Sequence, residues 1–371
     1  MKLEKKSNNE KKMKQKIKIC ITCVGGRLIY DIIKAIRDAD DYDVEIIGID
    51  SDSSASGRLL CDYFYVVPHS EVDPKGWLEE LYEINKKNKI DGLIAFSEGE
   101  SRLLGQYKKS FENLNIKISI TDNETVNILT DKFLMLSYLK KKGIDVGSFC
   151  VLDEVNNFKQ TAIKLGYPDK KIVFKPRYGR GSRGVLIADK NQNSFLPLLP
   201  ERFCGLGSIE VLEKVCKKNN IIASDYLAMP YYKGNVWDVD VLSQKGEVIN
   251  VAARMRQLKN PLWPTSTGHK ASADIRIIEY ASNISKVFNI NGPSDYDIVI
   301  DDNGKPKVLD AAARFSGSVG VSYIAGVNMM SQLLRLMFNI PFKKYTIIDG
   351  MLLRPYITMA PILEKHEFDF L

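Results

Sequence analysis

Residues 175–185, KPRYGRGSRGV, combine basic side chains with glycines in the composition of an anion-binding loop. Gly179, Gly181 and Gly184 follow the spacing G-x-G-x-x-G, which dinucleotide-binding turns share with the phosphate loop of protein kinases. Glycine allows positive φ and a close backbone approach, so the N–H groups of such a loop can surround a phosphate. The spacing predicts an anion site without selecting one kind of nucleotide-binding device.

The sequence on either side of this loop separates the alternatives. KIVFK precedes it and VLIA follows it, and both read as strands, whereas a dinucleotide turn leads directly into a helix. The chain has no HRD, DFG or GxxxxGK[ST] motif, which argues against a kinase and against a P-loop. We therefore predict a glycine-rich hairpin that folds over phosphates, with Lys175 at the end of its first strand. The loop also carries Arg177, Arg180, Ser182 and Arg183.

The stretch DYDIVIDDNGKPKVLDAAARFSGS contains a second candidate site. Asn303-Gly304 is a strong signal for a two-residue hairpin turn, which would place Asp297 opposite Asp310. Like charges directly opposite each other destabilise a sheet by roughly 0.2–1 kcal/mol unless a cation lies between them. Mg²⁺ is commonly held by one or two carboxylates plus substrate phosphates. We predict a magnesium site here, and the alternative is a slipped register with two solvated acids.

Two arginines follow the alternation of another predicted strand. VINVAARMRQLK places Arg254 and Arg256 two residues apart and hence on one face. Paired guanidinium groups suit a phosphate or a carboxylate, and the alternative is a charged face in contact with solvent. His269 and Lys270, a short distance along the chain, are further candidates for the same place.

The elements that must position these residues fall into two patterns. From residue 17 to about residue 124, strands alternate with helices, which predicts a parallel sheet covered by helices. Ligands of such sheets bind beyond the carboxyl ends of the strands, where Gly25, Gly26, Asp50, Glu98 and Glu100 would lie, and the alternative for the acids is ordinary solvation in loops. Gly25 and Asp50 could also serve a dinucleotide, although the third glycine of that motif is missing. The remaining chain reads as short strands in hairpins with helices at about 207–219, 273–288 and 326–338, an α+β region.

Composition excludes several classes of partner. The net charge is +7, but residues 1–18 hold eight lysines against two glutamates, so the remainder is almost neutral and shows no basic face for nucleic acid. Residues 1–16 are predicted to be a disordered tail. No apolar run approaches the roughly 18 residues that span a bilayer, and no signal peptide is recognisable, which predicts a cytoplasmic protein without membrane contact.

The lysine-led glycine hairpin, the TDK helix start and the late acid pair together resemble the ATP-grasp superfamily over about residues 17–340. The resemblance is strongest to members that are similar to half of the large chain of carbamoyl-phosphate synthase. It implies a mixed α/β and α+β chain, with a Rossmann-like pre-ATP-grasp domain followed by a two-subdomain ATP-grasp fold. The implied segments are a basic tail (1–16), the pre-ATP-grasp domain (17–124), a central subdomain with the phosphate lid (125–230), a C-terminal subdomain with the metal hairpin (231–340) and a C-terminal extension (341–371).

The same resemblance assigns roles to individual residues. Lys132, in LTDK, and Lys175, in FKPR, would contact phosphates of ATP, with residues 179–184 as a mobile lid. Asp297 and Asp310 would bind Mg²⁺, and Arg314 would contact phosphate or substrate beside Arg254 and Arg256. The nucleotide base would be held by the backbone of Ala228 and Met229, and the ribose by the side chain of Asp238 or Asp240 or by water.

The activity that this resemblance implies is an ATP-dependent carboxylate–amine ligase that forms an acyl phosphate from a small-molecule carboxylate. A homodimer is compatible with these predictions. Two departures from the family pattern support an alternative, a nucleotide-binding module with reduced or no ligase activity. The usual Glu-x-Asn is Asp310-Ala311-Ala312 here, and LAMPYYKG lacks the usual hinge glutamate. A dinucleotide oxidoreductase built on Gly25 and Asp50 is the third hypothesis.

Overall fold

The structure is a computed structural model that describes residues 14–152, 158–179, 181–199, 202–257 and 268–356. Most of the predicted basic tail and Arg180 of the glycine loop lie outside these residues. The first strand begins at Gln15, two residues before the start predicted from the sequence.

The N-terminal domain is built on a parallel sheet, as the alternating pattern predicts. Its five strands lie in the order β3-β2-β1-β4-β5, so the chain reverses direction across the sheet beside β1. The order brings the carboxyl ends of β1 and β4 together, which is where such sheets bind ligands. The elements are β1 (Gln15–Thr22), α1 (Ile29–Arg37), β2 (Tyr42–Asp50), a 3₁₀ helix (Ser56–Leu60), β3 (Tyr63–Val66), α2 (Pro74–Asn88), β4 (Gly92–Ile94), α3 (Glu98–Asn113) and β5 (Lys117–Ile118).

Two helices lead into a central subdomain with its own mixed sheet, ordered β6-β11-β7-β8-β10-β9. Strands β7 and β8 are antiparallel, with Phe174 opposite Leu186, so the glycine segment is the loop of a hairpin as predicted. The elements are α4 (Asn123–Thr130), α5 (Lys132–Lys141), β6 (Cys150–Val151), α6 (Phe158–Lys164), β7 (Ile172–Pro176), β8 (Leu186–Ala188), β9 (Leu196–Pro197), β10 (Gly205–Gly207), α7 (Ile209–Lys218), a 3₁₀ helix (Ala223–Asp225) and β11 (Tyr226–Pro230).

The C-terminal subdomain is an antiparallel sheet in the order β16-β15-β12-β13-β14-β17. Strand β17 comes from the predicted C-terminal extension, so part of that segment completes this sheet. The elements are β12 (Val236–Gln244), β13 (Glu247–Arg256), β14 (His269–Ser272), α8 (Ile275–Val287), β15 (Gly292–Ile300), β16 (Pro306–Ala312), α9 (Val319–Ile324), α10 (Met329–Met337) and β17 (Leu352–Leu353).

The turn between β15 and β16 differs from the two-residue turn predicted from the sequence. The Asp301 N–H donates to the Lys305 carbonyl (2.8 Å), which leaves three residues in the loop. Gly304 takes the left-handed conformation (φ 75°) that a three-residue hairpin loop needs at its last position. The first cross-strand pairs are therefore shifted by one residue from the predicted register.

The buried cores show which parts of the chain form one body. One apolar cluster joins Ile19 of β1 and Ile36 of α1 with Leu333 of α10, so the N-terminal domain and the C-terminal subdomain share a core. The glycine hairpin contributes to a further cluster, within the central subdomain, that includes Phe158 and Phe174. Strand β11 of the same subdomain also contributes side chains to a larger cluster shared with the other two units. Among the described helices, none is long and apolar enough to cross a membrane.

Candidate active site

Asp297 and Asp310 are cross-strand partners, which confirms the pairing predicted from the sequence. On the turn side, Ile298 pairs with Val308, so Leu309 is an extra residue in β16 and forms a β-bulge. The bulge shifts the register back by one residue and compensates for the longer turn. β-Bulges are common beside active sites, because they change the direction of a side chain or free a backbone group.

Two lysines from different elements converge on this acid pair. Lys132 is the first residue of α5, directly after the N-cap Asp131, and its Nζ lies 3.2 Å from Asp310 Oδ1. Lys175 Nζ, at the end of β7, donates to the Leu309 carbonyl that the bulge exposes. Burial lowers the pKa of Lys175 to about 8, a shift that Asp310 opposes and Lys132 reinforces. Such an arrangement of crowded amines is suited to receive an anion.

The glycine loop closes over the lysines through its backbone. Lys132 Nζ donates to the Gly179 carbonyl at 2.6 Å, and Gly179, Ser182 and Gly184 all have positive φ. A Cβ on Gly184 would lie 2.6 Å from Pro176 Cγ, so this position also requires glycine for space. Backbone amides in such conformations can line an anion-binding concavity.

The role of Arg177 differs from that of a loop cation free to meet phosphate. Its guanidinium donates to Asp131 (Nε to Oδ1 3.2 Å, Nη2 to Oδ2 2.5 Å), the residue that caps α5. The Arg177 carbonyl also accepts from the Lys132 N–H at 3.0 Å. The base of the glycine loop is thereby attached to the helix that presents Lys132.

Arg256, on β13, links the acid pair to Asp238 on β12 and, through Asp238, to His269 on β14. Its Nη2 lies 2.7 Å from Asp297 Oδ1, while its Nε donates to Asp238 Oδ1 at 3.0 Å. The other oxygen of Asp238 is 2.9 Å from His269 Nε2. Burial would raise the pKa of Asp238, but Arg256 and His269 outweigh it and hold that pKa well below its ordinary value. Burial would lower the pKa of Arg256, yet the two carboxylates raise it.

Arg254 shares the strand face with Arg256 as predicted, but it has no exposed surface. Its Nη2 lies 2.6 Å from Asp240 Oδ2 and 3.0 Å from Ser316 Oγ. Asp240 in turn accepts from the Ser316 N–H at 2.6 Å. Arg254 was predicted to be catalytic. Its contacts instead stabilise the loop that follows β16, and it offers no surface to a ligand.

Arg314 connects the C-terminal subdomain to the rim of the N-terminal sheet. Its Nη1 donates to Asp295 Oδ2 at 3.0 Å and its Nη2 lies 3.5 Å from Glu98 Oε1, in the first turn of α3. Burial and the nearby carboxylate of Asp240 raise the pKa of Asp295 well above its ordinary value, against the effect of Arg314. Glu98 therefore reaches the C-terminal residues of the site, as its predicted position at the strand rim suggested.

Gly25, Asp50 and Glu100, also predicted at this rim, have structural partners. Gly25 N–H donates to Asp50 Oδ2 at 2.7 Å, so Asp50 stabilises the turn after β1. Glu100 is buried and accepts from Thr22 Oγ1 at 2.5 Å, and burial raises its pKa. These contacts give Gly25 and Asp50 a role that needs no dinucleotide.

The residues predicted to hold base and ribose are less accessible than the sequence suggested. Ala228 and Met229 are buried in β11, and Ala228 pairs with Phe174 on one side and Cys150 on the other. Both carboxylate oxygens of Asp238 have protein partners. The predicted contacts of Ala228, Met229 and Asp238 with a nucleotide remain predictions.

Sequence reasoning missed Asp295 as a member of the site and missed that His269 and Arg256 share Asp238. The available signal for Asp295 was its position two residues before Asp297, on the same face of one strand. Within the described residues there is no group of three or more His, Cys, Asp or Glu side chains arranged to hold a metal ion. Asp297 and Asp310 thus stand as a pair.

Two family models match separate parts of the chain. Residues 19–119 match the PylC-like N-terminal domain, and residues 223–351 match the ATP-grasp of the biosynthetic pathway with Ter operon. These matches confirm the ATP-grasp resemblance and the fold class predicted from the sequence.

Individual relatives are distant. An L-arginine-specific L-amino acid ligase of Bacillus subtilis is 25% identical over 293 residues, which cover 76% of this chain and 63% of that protein. The carbamoyl phosphate synthase large chain of Pyrococcus furiosus is 23% identical over 264 residues, 68% of this chain and 22% of that protein. The structure of a biotin carboxylase–β,γ-ATP complex from Campylobacter jejuni superposes with a TM-score of 0.67 at 15% identity, covering 89% of this chain and 73% of that one. The chain thus spans less than two thirds of both sequence relatives.

Proposed function

We propose that this protein is an ATP-dependent carboxylate–amine ligase that activates a small-molecule carboxylate as an acyl phosphate. The observation that carries the proposal is the meeting of Lys132, Lys175 and the pair Asp297–Asp310 under the glycine loop. These groups come from the central and C-terminal subdomains, so a ligand between them would contact both. The names of the ligases among its relatives support the same class of reaction.

The side chains of the site fit a nucleotide polyphosphate with a divalent cation. Two buried amines face two carboxylates, and the carbonyls of Gly179 and Leu309 bind those amines where phosphate oxygens could take their place. Asp297 and Asp310 would hold Mg²⁺ together with the phosphates, as is usual for this hard cation. When bound, Mg²⁺ would neutralise charge on the transferred phosphoryl group.

The reaction would proceed in two steps. A carboxylate oxygen of the first substrate attacks the γ-phosphorus of ATP, and ADP leaves with the electrons of the broken P–O bond. The amine of the second substrate then attacks the acyl carbon, phosphate leaves, and the amine releases a proton. Lys132 and Lys175 would hold the phosphates in line, Arg256 would add positive charge beside Asp297, Arg314 would orient the carboxylate, and the closed loop would exclude water from the acyl phosphate.

The test is formation of ADP and phosphate from ATP and Mg²⁺ in the presence of pooled carboxylates and amines. Amino acids are the first pool to use, because a relative is named as an L-amino acid ligase. We expect ADP release that depends on the pool and that falls by at least about 100-fold in Lys132→Met, since loss of one preorganised charge contact costs about 10²–10³ in rate. Lys75→Met, at a side chain that is 87% exposed, is the matched control and should keep full activity. Nucleotide binding without ADP formation for any pool would refute the ligase.

Two observations favour a second candidate, a nucleotide-binding module without ligase turnover. Ala312 offers no side-chain ligand beside Asp310, and Asp238 is occupied by Arg256 and His269 rather than open to a ribose. This module would bind nucleotide with little dependence on Mg²⁺. A strong loss of nucleotide affinity in Asp310→Ala would count against it and in favour of the ligase.

A further inference from the structure

Each carboxylate of the acid pair already has a cation of the protein beside it. Lys132 Nζ lies 3.2 Å from Asp310 Oδ1, and Arg256 Nη2 lies 2.7 Å from Asp297 Oδ1. The two cations differ in how they are held. The lysine also donates to the Gly179 carbonyl of the glycine loop.

Arg256 is instead fixed within the C-terminal sheet. Its Nε and Nη2 both donate to Asp238 Oδ1, and its side chain is only 11% exposed. Asp238 cannot turn away, because its second oxygen is 2.9 Å from His269 Nε2 and its side chain is 6% exposed. His269 is itself buried in β14, directly opposite Arg256. The guanidinium beside Asp297 is therefore positioned by two residues on neighbouring strands.

We propose that Arg256 is a built-in cation of the phosphate site, held on Asp297 by Asp238 and His269, and that the nucleotide complex of this protein takes a single divalent cation. This inference rests on the proposed nucleotide site. Two adjacent carboxylates under a polyphosphate can hold one shared divalent ion or one ion each. Arg256 occupies one carboxylate oxygen and adds a fixed positive charge, which removes the place of a second ion.

Asp238 and His269 act through Arg256 and are thus positioning residues for its guanidinium, not metal ligands.

The inference is tested by counting Mn²⁺ ions with electron paramagnetic resonance of free Mn²⁺, titrated into the full chain with the non-hydrolysable analogue AMP-PNP. We expect one Mn²⁺ per nucleotide-bound chain in the wild type and in Arg256→Lys, which keeps the charge. Removal of Arg256 alone leaves Asp238 buried beside His269, so the double variant Asp238→Asn/Arg256→Met is measured with Arg256→Met. Both should bind two Mn²⁺ per nucleotide-bound chain.

The control is Arg276→Met, which removes an arginine whose side chain is 55% exposed and pairs with Asp274, with one long contact of 3.4 Å to the Gly304 carbonyl in the β15–β16 turn. Its count should stay at one. Two ions in the wild type, or one ion in the double variant, would overturn the inference while leaving the ligase proposal standing. One ion in the wild type together with a chain that never forms ADP would refute the ligase and leave the inference intact, because the count does not depend on turnover.

Discussion

Replacement of Lys175 by methionine should change how the stability of the protein depends on pH. Lys175 is 7% exposed, and burial lowers the pKa of its amine from 10.5 to about 8. Lys132 adds to this effect, while Asp310 and Asp297 oppose it. The folded protein therefore binds the Lys175 proton less tightly than the unfolded chain does. Between about pH 8 and pH 10.5 the unfolded chain holds more protons at this site, so stability must rise with pH.

The size of the effect follows from the two pKa values. One pKa unit corresponds to 1.36 kcal/mol, so the charged amine costs the folded state about 3 kcal/mol at neutral pH. This cost is progressively lost as Lys175 becomes neutral in both states. From about pH 7 to about pH 9.5, the free energy of unfolding of the wild type should rise by about 2 kcal/mol relative to that of Lys175→Met.

Urea unfolding of both proteins at several pH values measures this difference directly. Other groups titrate in the same range, but they are common to both proteins and cancel in the comparison. Lys75→Met should show no such pH-dependent difference from the wild type, because the Lys75 side chain is 87% exposed. The free energy of unfolding of the wild type minus that of Lys175→Met should rise with pH. If this difference stays constant or falls as the pH rises, burial does not disfavour the charged form of Lys175.

Two further substitutions test the supports of the site. Arg254→Met should lower the free energy of unfolding in urea by about 3–5 kcal/mol, because it leaves Asp240 buried without its cation. The double variant Arg254→Met/Asp240→Leu should recover most of this loss. Equal losses in the single and double variants would contradict the explanation. Gly184→Ala should lower the free energy of unfolding by at least about 1 kcal/mol, because φ is 79° and the added Cβ would lie 2.6 Å from Pro176, whereas Gly317→Ala meets no atom within 4 Å and should be neutral. Equal behaviour of the two alanine variants would show that the loop tolerates a Cβ.

The pairing of Asp297 with Asp310 could be predicted from the sequence, although the turn that led to it was wrong. Asn303-Gly304 suggested a two-residue turn, and the loop has three residues. The extra residue Leu309 in β16 then restores the predicted partner. Bulges depend on contacts that local sequence does not encode, and this one is occupied by the amine of Lys175, which is 134 residues away along the chain.

The local sequence patterns predicted which face of a strand carries each side chain, but not which residues that side chain contacts. Alternation correctly placed Arg254 and Arg256 on one face, yet it could not show that one is fully enclosed and the other borders the acid pair. Asp238 was predicted to meet a ribose because of its place in the strand. His269 lies 31 residues away in sequence and reaches Asp238 only because the sheet places β14 next to β13, which pairs with β12. Long-range sheet order, and not propensity, decides these roles.

The isotope content of the released phosphate tests the ligase most directly. The full chain is incubated with ATP, Mg²⁺ and a pool of amino acids whose carboxylates carry ¹⁸O, and the phosphate is analysed by mass spectrometry. Formation of an acyl phosphate transfers one carboxylate oxygen to phosphorus, so we predict one ¹⁸O per phosphate released with ADP. Release of unlabelled phosphate with ADP would mean that water attacks ATP, which would contradict the proposed reaction.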